Sequence, residues 1–197
     1  MRTYHLDTRP IPLESSRVAL RPVELNDYPA LFKMTSRAEA TYRWRFRGAT
    51  PSPEDFRELL WRGVLGQFVI ARRGAPGVVG LVTAYDVDFP NQTAHLAVLV
   101  DEEHRGRGWP LEGVVLFLNY LFEHWPFRKL YADALEFNAT TYLSGAKRLF
   151  EVEGTLRKHE YYQERYWDLL VLAVYRERWE AMRHRYLPIL NRIDRDA

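Results

Sequence analysis

Apolar and polar positions alternate along the chain in patterns that predict separate strands and helices. The first strand is predicted over residues 18–22, where a proline ends it. Asp27 is expected to cap the helix that follows. A second helix is expected to begin near Ser52, with Pro53 in its first turn and an inward apolar stripe that extends to Val64.

The rest of the chain is mainly strand-like, with turns that contain Gly, Pro and Asn between apolar runs. These turns favour an antiparallel meander, and one strand–loop–helix–strand unit lies in its middle. The pattern therefore predicts an α+β fold with a mixed sheet. Strands are predicted over residues 67–72, 78–85, 93–100, 129–135, 154–162 and 167–175, and helices over 111–125, 139–149 and 177–187.

The composition is that of one ordinary soluble globular domain. The chain has 197 residues, of which 47% are hydrophobic and 27% are charged. This length suits one sizeable core better than two. We therefore expect a single domain over residues 1–197, with an N-terminal extension over about 1–14 and a C-terminal helix and tail over about 177–197.

Charge and cysteine content exclude several kinds of function. The formal net charge of +2 argues against nucleic acid or a membrane surface as the main partner. Cysteine is absent, which excludes disulfides, thiolate nucleophiles and zinc sites built on cysteine, and no metal is expected. No secretion signal and no apolar run of about 20 residues is present, so a cytoplasmic protein is expected.

A basic, glycine-bearing loop between a predicted strand and a predicted helix is the most informative segment. It reads Arg105-Gly106-Arg107-Gly108. Unpaired N–H groups at a helix N-terminus attract anions, and glycines let the backbone approach a phosphate closely. The alternative is a glycine turn with solvated arginines. The spacing matches neither the dinucleotide fingerprint nor the Walker loop.

This loop resembles the acyl-CoA pyrophosphate loop of the GNAT superfamily, Q/R-x-x-G-x-G/A, and the order of elements agrees over roughly residues 15–180. Residues 18–22, 150–157 and 166–168 are similar to the branch typified by ribosomal-protein N-acetyltransferases. The resemblance implies a mostly antiparallel twisted sheet flanked by helices on both faces. It also implies an N-acyltransferase that moves an acetyl (acyl) group from acetyl-CoA or another acyl-CoA to a primary amine, by direct attack in a ternary complex.

The resemblance also implies where the cofactor lies. The strand residues Val98, Leu99 and Val100 would hold the pantetheine arm. The arm would lie beside the strand like an added β-strand and pair with the backbone groups of Val98 and Val100. Amides from Arg105 through Trp109 would wrap the pyrophosphate.

Four further positions either match or depart from the family pattern. Asn138 matches the family asparagine that contacts the cofactor arm, and the alternative role is a helix N-cap. Pro110 stands where the family prefers Gly or Ala, and it removes one N–H from the loop. Gly145 stands where many relatives place the tyrosine that protonates the leaving thiolate. Tyr142, one turn earlier, is a substitute acid or a packing residue.

A base is needed because an amine is protonated at neutral pH and must lose a proton before it attacks a thioester. His95 occupies the strand position where many relatives carry a glutamate, and an unperturbed histidine has a pKa near ~6.5. The alternative is a histidine satisfied by a hydrogen bond within a packed sheet. Glu136 and Glu160 are other candidate bases.

Three questions of partner and activity stay open at this stage. The acceptor amine could belong to a protein N-terminus, an antibiotic or an amino-sugar metabolite. The chain could instead bind acyl-CoA or a small metabolite without turnover, which Pro110 and Gly145 motivate, or it could associate with nucleic acid through its arginines. The basic segment 176–195 could form a homodimer contact, a nucleic-acid arm or a packed helix.

Overall fold

The structure is a computed structural model, and it describes residues 13–37, 44–46, 48–138 and 149–186. These ranges contain both strands and helices. The strands are β1 (Val18–Arg21), β2 (Val64–Arg72), β3 (Gly80–Asp88), β4 (Thr93–Val100), β5 (Lys129–Leu135), β6 (Glu151–Tyr162) and β7 (Arg165–Tyr175). The helices are α1 (Tyr28–Thr35), α2 (Pro53–Trp61), α3 (Trp109–His124) and α4 (Arg176–Met182), with 3₁₀ turns at Leu25–Asp27, Glu102–His104 and Arg183–Arg185.

One seven-stranded sheet organises these elements, in the order β1-β2-β3-β4-β5-β7-β6. Every neighbouring pair is antiparallel except β4 and β5, which are parallel. A parallel pair needs a crossover connection, and α3 supplies it. The predicted α+β fold with a mixed, mostly antiparallel sheet is therefore confirmed.

The second helix begins where the sequence predicts and ends earlier. Ser52 Oγ accepts a hydrogen bond of 3.1 Å from the N–H of Asp55, which is the geometry of an N-cap. The helix stops at Trp61, and Gly63 turns the chain with a φ of +67°. Val64 therefore begins β2, and the prediction that it continues the helix stripe is wrong.

Asp27 precedes α1 as predicted, although its side chain does not cap the helix. The carboxylate accepts hydrogen bonds of 2.7 Å from both Nη atoms of Arg21 and one of 2.8 Å from the N–H of Glu24. A bidentate guanidinium is a stronger donor than a single helix amide, so the predicted cap is replaced by an ion pair. The Arg21 guanidinium holds the pKa of Asp27 below its ordinary value.

The two faces of the sheet are packed differently. On one face α3 buries Val115, Leu118 and Leu121 against strand residues such as Val82 and Leu96. On the other face α1 and α2 form a second apolar cluster, whose strand residues come from β2, β3 and β4. Within the described ranges, this second cluster includes no residue of β5, β6 or β7. Among the described residues, the α1/α2 cluster therefore covers only the β2–β4 half of this face.

The C-terminal segment packs onto α3. Trp179 of α4 is 1% exposed, and its ring stacks on Phe122 with the ring centroids 6.2 Å apart. The Arg176 guanidinium donates hydrogen bonds to the carbonyl oxygens of Phe122, Trp125 and Phe127. Of the predicted basic segment 176–195, the described part is therefore a packed helix, and residues 187–195 lie outside the described ranges. In the part of the chain that the structure describes, no helix is long and apolar enough to span a bilayer.

Candidate functional site

The parallel pair β4 and β5 separates partway along its length. The last paired residues are His95 and Tyr131. Beyond them β4 continues to Val100 and β5 to Leu135, and the described ladder contains no pair between these two stretches. The sheet therefore has a split that widens toward the carboxyl ends of both strands.

Main-chain polar groups on β4 face into this split. The N–H of Asp101 donates a 2.9 Å hydrogen bond to the carbonyl of Val79, on the β3 side. Because successive residues of a strand direct their main-chain groups to opposite edges, Leu99 faces β3 while Val98 and Val100 face the split. The Leu99 side chain is also buried in the α1/α2 cluster, so it anchors β4 to the helices on that face.

The loop between β4 and α3 contains two glycines in the left-handed backbone conformation. Gly106 has a φ of +74° and Gly108 one of +80°, a region that side chains rarely adopt. The N–H groups of Arg105 and Arg107 donate within the loop, to the carbonyls of Glu102 at 3.2 Å and His104 at 3.4 Å. The N–H groups of Gly106, Gly108 and Trp109 donate to no main-chain carbonyl among the described residues, so they are available to an anion.

Arg17 brings a further cation to this loop from the segment before β1. Its Nε donates a 2.7 Å hydrogen bond to Oε1 of Glu112, and its Nη2 contacts the same oxygen. A Cβ added to Gly108 would lie 3.4 Å from Arg17 Nη2. Ser15 Oγ donates to the other Glu112 oxygen at 2.8 Å, which fixes the buried carboxylate in the first turns of α3. The sequence gives no local sign of this arrangement.

Trp109 begins α3 and is surrounded by basic side chains. The Arg72 guanidinium carbon lies 4.3 Å from the centroid of the indole ring, and the Arg107 guanidinium carbon lies 5.7 Å from it. The His104 ring packs against the same indole at 5.6 Å. Pro110 follows as the second helical residue, although the helix is predicted to begin at Leu111, so its missing N–H lies in the turn where an anion would be held.

A cavity of about 440 Å³ lies at the opposite end of the split. It opens on the sheet face that carries α1 and α2, on the half where the described helices do not pack. The cavity lies at the last β4–β5 pair, so it adjoins the narrow end of the split. The cavity is lined by His95, Tyr131, Asp133, Glu153, Gly154, Leu156, His159, Leu169 and Val171.

His95 forms the border between the split and the cavity. Its ring stacks on Tyr131, with the centroids 5.4 Å apart, and lies 5.7 Å from the ring of Tyr85. Its Nδ1 atom is buried and has no hydrogen-bond partner. The alternative of a histidine satisfied by a hydrogen bond is therefore not observed at Nδ1, and aromatic packing holds the ring in place.

An ion pair forms one wall of the cavity. Glu153 accepts hydrogen bonds from Nζ of Lys129 and, at 3.0 Å, from the hydroxyl of Tyr175. The bond from Lys129 lowers the pKa of Glu153, and the bond to Glu153 raises the pKa of Lys129. Both groups are therefore charged at neutral pH, and the lysine compensates the glutamate.

The other candidate residues Glu136, Glu160 and Asn138 are not among the residues that line the cavity. Glu136 is paired with Arg165 at 3.1 Å, and Glu160 lies 3.9 Å from the ring of His159. Residues 136–138 are helical, so Asn138 lies in a first helical turn and not at the predicted N-cap.

Two remaining predictions concern Tyr142 and a metal. Tyr142 and Gly145 lie outside the described residues. The described side chains contain no group of three or more His, Asp or Glu that could hold a metal ion.

Comparison with known proteins gives one family match and one curated relative. A family model described as an acetyltransferase (GNAT) domain matches residues 17–141. The curated relative is the SPbeta prophage-derived uncharacterized N-acetyltransferase YokL of Bacillus subtilis, which is 28% identical over 111 residues. That match covers 56% of this chain and 63% of the relative, so the chain spans less than two thirds of the relative's length.

Solved structures share the fold at low sequence identity. The spermidine N-acetyltransferase of Vibrio cholerae, in complex with CoA and spermine, matches with a TM-score of 0.75 and 19% identity, over 84% of this chain and 99% of that one. A probable GNAT acetyltransferase of Chromobacterium violaceum matches with a TM-score of 0.68 and 18% identity, over 91% of this chain and 97% of that one. The similarity to the ribosomal-protein branch stays a prediction.

Proposed function

Because the chain belongs to the GNAT acetyltransferase family, we propose that it transfers an acetyl group from acetyl-CoA to a primary amine. The donor and the acceptor would be bound together in one single-domain protein that acts in the cytoplasm. The observation that carries the proposal is the continuous path formed by the basic loop, the open edge of β4 and the cavity at the last β4–β5 pair.

The loop end of this path suits the pyrophosphate of CoA. Free N–H groups at the start of α3 and the positive end of its helix dipole favour an anion. The side chains of Arg105 and Arg107, which belong to the loop itself, add positive charge. Arg17 adds a third guanidinium whose Nε edge is held by Glu112, so its opposite edge is available to a phosphate oxygen. This cation offsets the N–H that Pro110 removes.

The split suits the pantetheine arm. The main-chain groups of Val98 and Val100 face it, so an amide-bearing chain could pair with β4 as an added strand does. Val100 lies five positions after His95 on β4, which corresponds to about 17 Å of strand at ~3.3 Å per residue. An arm that starts at the loop and follows β4 would therefore bring its thioester end to His95 and Tyr131, at the mouth of the cavity. Asn138 remains a proposed contact to the same arm.

The reaction would occur where the split meets the cavity. The amine loses a proton to His95, directly or through a water, and its nitrogen attacks the thioester carbon. The tetrahedral intermediate then collapses, the carbon–sulfur bond breaks, and the CoA thiolate leaves and takes up a proton. Tyr142 remains the proposed acid for that proton. Holding both reactants in place supplies much of the acceleration in such a direct transfer.

A second candidate function is binding of acyl-CoA without turnover. The specific observation that favours it is Pro110 in the first turn of α3, because a missing donor weakens stabilisation of the bound phosphates. The cavity beside His95, which could hold an amine, and His95 itself favour the transferase.

Turnover separates these two functions. Acetyl-CoA is mixed with the protein and a panel of primary amines, and free thiol release is measured while thermal denaturation reports CoA binding. Thiol release that depends on an amine supports the transferase. Thermal stabilisation by CoA with no thiol release from any amine would leave only the binding protein.

A further inference from the structure

We infer that the protein selects CoA by its 3′-phosphate, which Arg72 and Arg107 hold beside the indole of Trp109. The three residues come from three elements, since Arg72 ends β2, Arg107 lies in the glycine loop and Trp109 begins α3. The inference rests on the proposed acetyl transfer, because it concerns the cofactor of the same site. It names the group that distinguishes CoA from dephospho-CoA, which has the same arm and the same pyrophosphate.

The packing of α3 on β2 brings Arg72 to Trp109. A Cβ added to Gly113 would lie 2.7 Å from Cδ1 of Ile70, so the helix and the strand are in close contact there. Arg72 lies two residues after Ile70 and therefore on the same face of the strand. Trp109 lies four residues before Gly113 and therefore on the same side of the helix. The guanidinium carbon of Arg72 consequently lies 4.3 Å from the centroid of the indole ring.

The indole is a fixed support for two exposed guanidiniums. Trp109 is partly buried and packs against the core cluster under α3. Arg72 and Arg107 are exposed. The Nε of Arg107 donates a 3.2 Å hydrogen bond to the carbonyl of Glu103, and its guanidinium carbon lies 5.7 Å from the indole centroid. Both guanidiniums are therefore held in place and remain accessible from solvent.

These two arginines have no carboxylate partner in the part of the chain that the structure describes. No described Asp or Glu forms an ion pair with Arg72 or with Arg107. Two like charges beside one ring repel each other, and an anion shared between them removes that repulsion. The neighbouring arginines differ in this respect, because each is paired: Arg17 with Glu112, Arg73 with Glu14 and Arg37 with Asp101.

Trp109 connects the two arginines to the proposed pyrophosphate site. Its main-chain N–H is one of the donors available to an anion, and its side chain contacts both guanidiniums. In CoA a single ribose ring separates the pyrophosphate from the 3′-phosphate. A phosphomonoester carries about 1.5 to 2 negative charges at neutral pH, which two guanidiniums balance. The planar N–H fork of arginine also suits phosphate oxygens.

The first experiment compares CoA with dephospho-CoA on the wild-type protein by isothermal titration calorimetry. We expect Kd for dephospho-CoA to be at least tenfold higher, because charge-assisted hydrogen bonds to the 3′-phosphate are lost. Equal Kd values, or tighter binding of dephospho-CoA, would overturn the inference. The proposed acetyl transfer would remain intact in that case, since amine-dependent thiol release measures it separately. Absence of binding by either ligand would contradict the proposed function itself.

The second experiment assigns the difference to the arginines. Arg72→Gln should raise Kd for CoA at least threefold and leave Kd for dephospho-CoA unaltered, so the ratio of the two values falls. Arg57→Gln is the matched control, because Arg57 is also exposed and its guanidinium carbon lies 5.2 Å from the centroid of the Tyr28 ring, away from the loop. It should alter neither Kd.

The ratio of the two Kd values separates a role at the 3′-phosphate from other roles. Arg17→Gln, which acts on the pyrophosphate common to both ligands, should raise both values by the same factor and keep the ratio. Arg107→Gln should lower the ratio as Arg72→Gln does, and it tests the same site from the loop. A ratio that stays at the wild-type value in Arg72→Gln and in Arg107→Gln would overturn the inference, whether or not the affinities themselves change.

Discussion

Nε of Arg17 donates a 2.7 Å hydrogen bond to Oε1 of Glu112, which joins the segment before β1 to the first turns of α3. Glu112 is 7% exposed and also accepts a bond from Ser15, so the carboxylate is fixed and holds the guanidinium beside Gly108. The pair thus places a cation at the end of a helix that has lost one N–H to Pro110. It links the packing of the N-terminal segment to the proposed pyrophosphate site.

Replacing this guanidinium tests whether it acts on the cofactor. We expect Arg17→Gln to weaken CoA binding about tenfold, because one charge-assisted hydrogen bond to an anion is lost, at about 1.4 kcal/mol. Isothermal titration calorimetry measures the change in Kd. Arg62→Gln, which removes an exposed arginine paired with Glu58, should leave Kd unaltered. Equal affinities in the two variants would remove Arg17 from the site.

Removal of the proposed base should change both rate and pH dependence. We expect His95→Ala to lower kcat about 10²-fold, because general base catalysis contributes about that much. The pH–rate profile should also lose the inflection that the proposed base contributes. His124→Ala, at an exposed position near the end of α3, is the control and should keep both rate and profile. A retained inflection in His95→Ala would assign it to another group.

The partly buried Arg21–Asp27 pair should make stability depend on pH in the acid range. The folded-state pKa of Asp27 is lowered by the bond from Arg21, so the pair stabilises the fold above the unfolded pKa of about 3.9. That stabilisation is lost as pH falls through the folded pKa. We expect Asp27→Asn to cost about 2 kcal/mol of unfolding free energy near pH 7.

Denaturant unfolding at several pH values measures this effect. The stability difference between wild type and Asp27→Asn should shrink as the pH is lowered below about 4. The exposed Glu58→Gln control should change stability by less than about 0.5 kcal/mol at neutral pH. A difference that grew toward low pH would contradict the sign of the pKa change.

Local sequence signals account for most of the fold. The predicted strands at 93–100 and 129–135 coincide with β4 and β5, since each is an apolar run bounded by turn residues or charge. Helix α3 begins at Trp109, two residues before the predicted start, because proline is tolerated in a first helical turn. The prediction for Val64 failed because a single apolar residue after a glycine suits a helix stripe and a strand equally.

The site divides into a part that is local in sequence and a part that is not. The glycine loop at 105–108 is visible in the sequence, because its chemistry and its conformation arise from adjacent residues. Arg17 and Glu112 are 95 positions apart, and no local pattern relates them. The cavity depends on the register of β5, β6 and β7, which places Asp133 opposite Val171 and cannot be deduced from the alternation of single strands.

Calorimetric titration of CoA into wild type, Gly108→Asp and Gly74→Asp tests the central claim most directly. Gly108 and Gly74 have φ values of +80° and +72°, so the two substitutions impose similar backbone strain, about 1 kcal/mol or more, and only the first puts a carboxylate beside the proposed pyrophosphate. We predict saturable one-site binding by wild type and by Gly74→Asp, and no measurable binding by Gly108→Asp. Binding of equal strength in Gly108→Asp, or no heat with the wild-type protein, would contradict the account.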